Sequence, residues 1–251
     1  MSVGKVFAII NVHSGIAWPR EFQRVAYAGR EIQLVPPKPK GPGEFYDTYP
    51  IAVGEGTDRD DAAASVPVVR QFLNAIAWRE QTYVREVGLE VTSWAHRQAV
   101  QVLGNDLGDN IDASSLVAPT SREARLSLAF YREGLSLEHI GYQFLSFFKV
   151  LNIQLANGSP QIAWLNSNHI HVVGGDARKR LDELLAAEPD LGKYLYVSGR
   201  CAVAHAFNKP LIDPDNVEDD IRLRSDLPLI RELAAIRMQR DFGIAAPRRA
   251  V

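Results

Sequence analysis

The stretch from Ile140 to Leu151 leaves the chain little freedom in what it can fold into. Ile140, Phe144, Phe147 and Leu151 recur at spacings of four, three and four residues, and Leu145 and Phe148 widen the stripe beyond one face. A helix that is apolar around so much of its circumference needs cover on several sides, so it sits centrally in a bundle or against another subunit. Upstream, Leu128, Tyr131 and Leu135 follow one helical face, with Ser121 placed to cap that helix and Glu123 in its first turn. Downstream, a helix is expected over Asp176 to Ala187, after a turn at Gly174 and Gly175. Another should begin at Ser225 or Asp226, with Pro228 in its first turn, inward Leu229, Ile230, Leu233 and Ile236, and an end at Gly243.

The first hundred residues carry a different period. Val6, Ala8, Ile10 and Val12 alternate with Phe7 and Ile9, which predicts a strand buried on both faces. Phe22 to Tyr27 and Glu31 to Val35 flank Ala28 and Gly29 as a hairpin. Pro36 to Gly43 reads as a stiff loop, Tyr49 to Val53 as a strand and Glu55 to Ser65 as a polar loop. Val69, Phe72, Leu73 and Ile76 then mark a helix capped by Ser65, and strand character returns over Thr82 to Trp94. Trp18, Trp78 and Trp94 serve as apolar bulk. Between Gly104 and Ser121 the composition turns to Gly, Asp, Asn, Ser and Pro, a boundary signal. The expected fold class is α+β, with a mixed α/β module over residues 1–112 followed by an all-α helical bundle over 118–251.

Charge and composition exclude some functions. A net charge of -2 and a sequence pI near 6.3 argue against a general nucleic-acid coat, which works by neutralising many phosphates. One cysteine in 251 residues rules out an internal disulfide framework and fits a reducing compartment. The start MSVGKVFAIINVHSG lacks a cleavage pattern, and its apolar run Val6 to Ile10 is too short to span a bilayer, so a soluble cytoplasmic protein without membrane partners is expected.

The residues best suited to chemistry lie in KYLYVSGRCAVAHAFN, Lys193 to Asn208. Arg200 is a permanent cation, and His205, five residues later, exchanges protons near neutral pH. On an ideal helix, five steps of about 100° leave them about 140° apart. The two can meet only if the arginine stem bends round or a second copy completes the site. Small neighbours, among them Ser198, Gly199, Ala202 and Ala204, leave the backbone open to a ligand or a second helix, while Tyr196 and Val203 share the face of Arg200. Cys201 reads as a small buried packing residue.

The segment YLYVSGRCAVAHA, following the aromatic-rich Leu128 to Ile153, resembles the HEPN superfamily, which carries an Arg-x4-6-His motif late in a helical bundle. Over Ala118 to Gly243 the chain is similar to proteins labelled methylamine utilization protein MauJ. The resemblance implies a HEPN-like bundle that forms homodimers through its C-terminal helices. It implies a metal-independent ribonuclease in which Arg200 and His205 are catalytic, Ser198 and Tyr196 contact the RNA, and neither metal nor cofactor takes part. It equally implies a non-cleaving version, an RNA-binding or protein-interaction accessory factor in methylamine utilization or in a defence or toxin-antitoxin setting. Cys201, where a polar residue often follows the arginine, and Leu151 and Asn152, where an acid is often found, favour this second version.

Three other clusters are weaker. His169 and His171 would share one side of a strand, as two metal ligands do, without a supporting Cys or Glu pattern. Asp213, Asp215, Glu218, Asp219 and Asp220 read as a solvated turn rather than a cation site. Arg231, Arg237 and Arg240 on the last helix, with Arg248 and Arg249 beyond it, form a modest basic strip.

Overall fold

Period-two patterning in the first half and helical patterning in the second resolve into two units in a computed structural model that describes residues 5–37, 51–93, 107–205, 211–213 and 215–248. The chain divides into Met1–Ala118 with Pro247–Val251, and Pro119–Ala246. The architecture is mixed α and β, an antiparallel sheet first and helices after it.

In the first unit, β1 (Val6–Ser14), β3 (Gln23–Tyr27), β4 (Arg30–Val35), β5 (Ile51–Gly56) and β6 (Val84–Thr92) form one antiparallel sheet among the described residues, in the order β3-β4-β5-β1-β6. The short strands β2 (Trp18–Pro19) and β7 (Leu107–Gly108) pair in parallel beside it. β1 is central, and Ala8, Ile9, Ile10 and Val12 are all fully buried. At the hairpin, Tyr27 pairs with Arg30, and Ala28 joins Gly29 at positive φ (49° and 77°), so both loop residues adopt the left-handed conformation of a two-residue turn. Trp18 is fully buried and its Nε1 donates to the Val35 carbonyl, and Trp78 is also buried. Trp94, Tyr49 and Lys38 to Gly43 lie outside the described residues.

The polar run after β5 is not a loop. Helix α1 spans Arg59–Glu80, seven residues earlier at its start than Val66, because Asp58 rather than Ser65 caps it by accepting from the Asp61 amide. Asp60 and Asp61 occupy the first turn, where the positive end of a helix favours acids, and three alanines follow. Ser65 lies inside the helix and donates to the Ala62 carbonyl. It packs on Gly54, where a Cβ would come 1.9 Å from its Oγ, so the glycine permits the close approach of helix to sheet.

The second unit is built around the apolar helix. α2 (Arg122–Ser136) starts at Ser121, whose hydroxyl accepts from the Ala124 amide, and α3 (Ile140–Asn152) runs back beside it. Ile140, Phe144, Phe147, Phe148 and Leu151 are buried. Phe147 lies over Gly134, where a Cβ would sit 2.8 Å from the ring, and meets Tyr131 edge-on at 5.1 Å. Tyr131 in turn accepts from Arg231 at 3.2 Å.

Three other expectations change. Asn157, Gly158 and Pro160 read in sequence as a loop but form the start of α4 (Gly158–Asn168), and His169–His171 is a 3-10 turn, so the two histidines share no strand face. Proline is tolerated there because the first-turn N–H groups have no intrahelical acceptor. α5 (Gly175–Ala187) falls where expected. The final helix α8 (Val217–Phe242) begins nine residues before Asp226, capped by Asn216, which accepts from the Glu218 amide. Pro228 therefore lies inside it, and Gly243 ends it at a φ of 66°. Among the described residues no helix is long and apolar enough to cross a membrane.

Gly134→Val should lower stability by about 1–3 kcal/mol through overpacking against Phe147, despite the better helix propensity of valine. Urea unfolding followed by circular dichroism at 222 nm would show it.

Candidate functional site

The segment that carries Arg200 is anchored before it is shaped. Asp190 accepts from the Lys193 amide at 2.9 Å and from Asn166 Nδ2 at 2.8 Å, which starts the short helix α6 (Leu191–Tyr194). Asn166 Oδ1 accepts from the Gly192 amide at 2.7 Å, and a Cβ at Gly192 would lie 2.5 Å from the Ile162 carbonyl oxygen, so α6 rests directly on α4.

From Leu195 to Cys201 the helix widens into a π-helix, whose hydrogen bonds span one residue more than those of an α-helix. It narrows again over α7 (Ala202–Ala204) and ends at His205, whose backbone is extended at φ -135°. This path removes the angular separation an ideal helix would impose. Arg200 Nη1 lies 3.2 Å from His205 Nε2 within one chain. A guanidinium can only donate, so a hydrogen bond in this contact requires Nε2 as the acceptor.

The surroundings of the pair are set by three glycines. A Cβ at Gly199 would meet Phe144 at 2.4 Å, one at Gly158 would meet the Tyr196 ring at 2.8 Å, and one at Gly141 would meet Val203 at 3.1 Å. Arg200 Nη1 also reaches Cys201 Sγ at 3.7 Å, and its guanidinium carbon lies 5.7 Å from the Tyr196 ring centre. Tyr196, Ser198, Arg200, Cys201 and His205 are all half-buried, which corrects the reading of Cys201 as a buried packing residue. Burial, then the Cys201 thiol, push the Tyr196 hydroxyl above its ordinary pKa, with Arg200 pulling the other way. Ala206 and Phe207 lie outside the described residues.

Sequence reasoning missed the charge that fixes the start of this π segment. Asp226 is fully buried on α8 and accepts from Arg180 Nε at 2.8 Å and from the Tyr194 hydroxyl at 2.9 Å. Arg222 approaches at 3.7 Å. Burial pushes the Asp226 carboxyl above the usual carboxylate range, and its bonds to Arg180 and Tyr194 oppose that. Burial also works against the charge of Arg180, but its bonds to Asp226 and Glu183 outweigh it and raise its pKa. The two shifts differ because the Arg180 side chain keeps 21% of its surface in water and the Asp226 side chain keeps none. The available signal was an acid in core register, Asp226 falling three residues after Leu223 and three before Leu229.

Other candidates disperse. Among the described residues no three His, Cys, Asp or Glu side chains converge to hold a metal. His169 Nδ1 lies 3.4 Å from the Leu165 carbonyl oxygen and His171 is exposed. Of the acidic run, Glu218, Asp219 and Asp220 form the first turn of α8 and Asp213 and Asp215 precede it, with Asp219 accepting from the Asp213 amide. Arg237 is no surface cation: it is 5% exposed, stacks on Trp164 and Phe242, donates to the Ile153 carbonyl and pairs with Asp241. In the first unit a recess of about 700 Å³ is lined by Lys5, Arg30, Glu55 and Asp61, whose charges are mutually paired.

Residues 127–239, which hold α3, the π segment, Arg200 and His205, match the family model described as Methylamine utilization protein MauJ. No curated protein and no solved structure matches the chain.

Asp226→Ala removes the buried partner of Arg180 and frees Tyr194, and should cost about 3 kcal/mol, the lower end for breaking a buried pair because Arg180 is partly hydrated and keeps Glu183. Thermal and urea unfolding would measure it, and Tyr194→Phe should cost about 1 kcal/mol, the worth of one hydrogen bond.

Proposed function

We propose that the second unit is a HEPN-like, metal-independent endoribonuclease working through Arg200 and His205. The observation that supports this most is the 3.2 Å contact between the guanidinium and the imidazole on a half-buried surface segment. An RNA phosphate entering there takes over the guanidinium, which can bind two phosphoryl oxygens at once, and this releases Nε2. His205 then accepts the proton of the 2'-hydroxyl as its oxygen bonds to phosphorus. The bond from phosphorus to the 5'-oxygen breaks, leaving a 2',3'-cyclic phosphate and a 5'-hydroxyl. Arg200 neutralises the charge that grows on the phosphoryl oxygens. The proton for the departing 5'-oxygen comes from the protonated imidazole of a second copy, which gives a homodimer through the C-terminal helices its purpose. Ser198 and Tyr196 flank the path of the RNA.

A second reading, a non-catalytic accessory factor that binds RNA or protein, draws on two observations. Arg200 directs the same nitrogen at Cys201 Sγ, and the matching family model is described by methylamine utilization. Cleavage separates the two. Purified protein with excess chelator should cut single-stranded RNA and leave 2',3'-cyclic phosphate ends, and His205→Ala should slow it by roughly 100-fold or more without changing the thermal midpoint. RNA left intact by the unmodified protein overturns the enzyme reading in favour of the accessory one.

A further inference from the structure

The geometry points to a base-stacking platform at the start of α3, formed by His139 and Tyr142, that holds a base of single-stranded RNA beside the phosphate at Arg200. This inference deepens the ribonuclease reading and rests on it.

Three observations converge on the platform. First, α3 buries its phenylalanines, Phe144, Phe147 and Phe148, to 1% exposure or less, yet leaves Tyr142 58% exposed. Exposed His139 lies against Tyr142, with ring centres 4.8 Å apart and planes tilted by 44°. Aromatic surface left open to water is the element with which proteins hold unpaired bases, since every base offers a flat face. Secondly, the ring pair adjoins the motif. A Cβ at Gly141 would lie 3.1 Å from Val203 Cγ1 and 3.3 Å from His139 Cε1, so the histidine ring and the motif helix flank one glycine. Val203 follows Arg200 by three residues, a helical neighbour, and precedes His205 by two. Thirdly, His139 makes no side-chain bond to the first turn of α3, and Gly141 has no side chain to shield the backbone there. The positive end of the helix is thus turned to the same neighbourhood, which favours an anionic strand over a neutral or basic partner.

A duplex keeps its base faces stacked inside, so the platform selects unpaired RNA. The test uses the full chain carrying His205→Ala as a non-cleaving parent, with binding of a short fluorescent single-stranded RNA, and of the same strand annealed to its complement, read by anisotropy. Tyr142→Ala should weaken single-strand binding roughly tenfold, the scale of one lost base stack. Tyr142→Trp should restore it, and Leu185→Ala, which removes a similarly exposed apolar side chain from α5, should leave it unchanged. Circular dichroism of each variant confirms the fold. Single-strand affinity unaltered in Tyr142→Ala, or lost equally in Leu185→Ala, overturns the platform while cleavage by the unmodified protein still upholds the ribonuclease reading. A parent that binds the duplex as well as the single strand also overturns it, and a parent that binds no RNA overturns both.

Discussion

The contact between the Phe144 ring and Gly199 is the one on which the second unit turns. α3 must bury aromatic side chains in several directions, and each finds a surface without a Cβ or another ring: Phe147 on Gly134, Phe144 on Gly199, Phe148 near Tyr196 at 6.2 Å. Interiors are packed nearly as densely as crystals, so a ring this close to a backbone holds that backbone in place. The segment held in this way is the π-helix. One additional residue per turn is an unfavourable arrangement on its own and persists where surroundings over-determine it. Here Phe144 presses on Gly199 and Gly158 admits the Tyr196 ring, so both sides of the widened turn are fixed. The meeting of Arg200 and His205 follows from that distortion and from the extended backbone at His205.

Buried charge completes the frame. Asp226 ties α8 to α5 through Arg180 and to the end of α6 through Tyr194, the residue directly before the π segment. Such a pair adds little net stability, because desolvation offsets most of its attraction, but it penalises any arrangement that separates the partners. Arg237 acts in the same manner beneath α4 and at the end of α3, held by Trp164, Phe242 and the Ile153 carbonyl. Two arginines that look like surface charges in a string of letters are therefore structural, and the cation left beside the histidine on the half-buried segment is Arg200.

Much of the candidate site was legible because its signals are local. The Arg200 and His205 pair, the Ser121 cap, the α3 stripe and the Ala28 and Gly29 turn depend on residues within one or two turns of each other. The errors have a common origin. Asp58 and Asn216 each open a helix inside a polar run, and a capping acid or amide beside further acids reads as a solvated loop unless the helix is already known to continue. Pro160 reads as part of a loop, although a first-turn proline lacks nothing, and Pro228 reads as a first-turn residue because the two turns of α8 before it are largely polar and exposed.

By itself the sequence determined that a sheet-bearing half precedes a helical half, that one helix lies deep inside the second, and that a guanidinium and an imidazole stand five residues apart. Periodicity and capping settle such matters because they act between near neighbours. Only tertiary structure decided that those five residues bring the two groups within 3.2 Å, since that rests on Phe144, 55 residues from the Gly199 it packs on, and on Asp226, 32 residues from the Tyr194 it holds. Contacts made by distant parts of a chain leave no period in the letters, and the π-helix they impose has no sequence signature of its own.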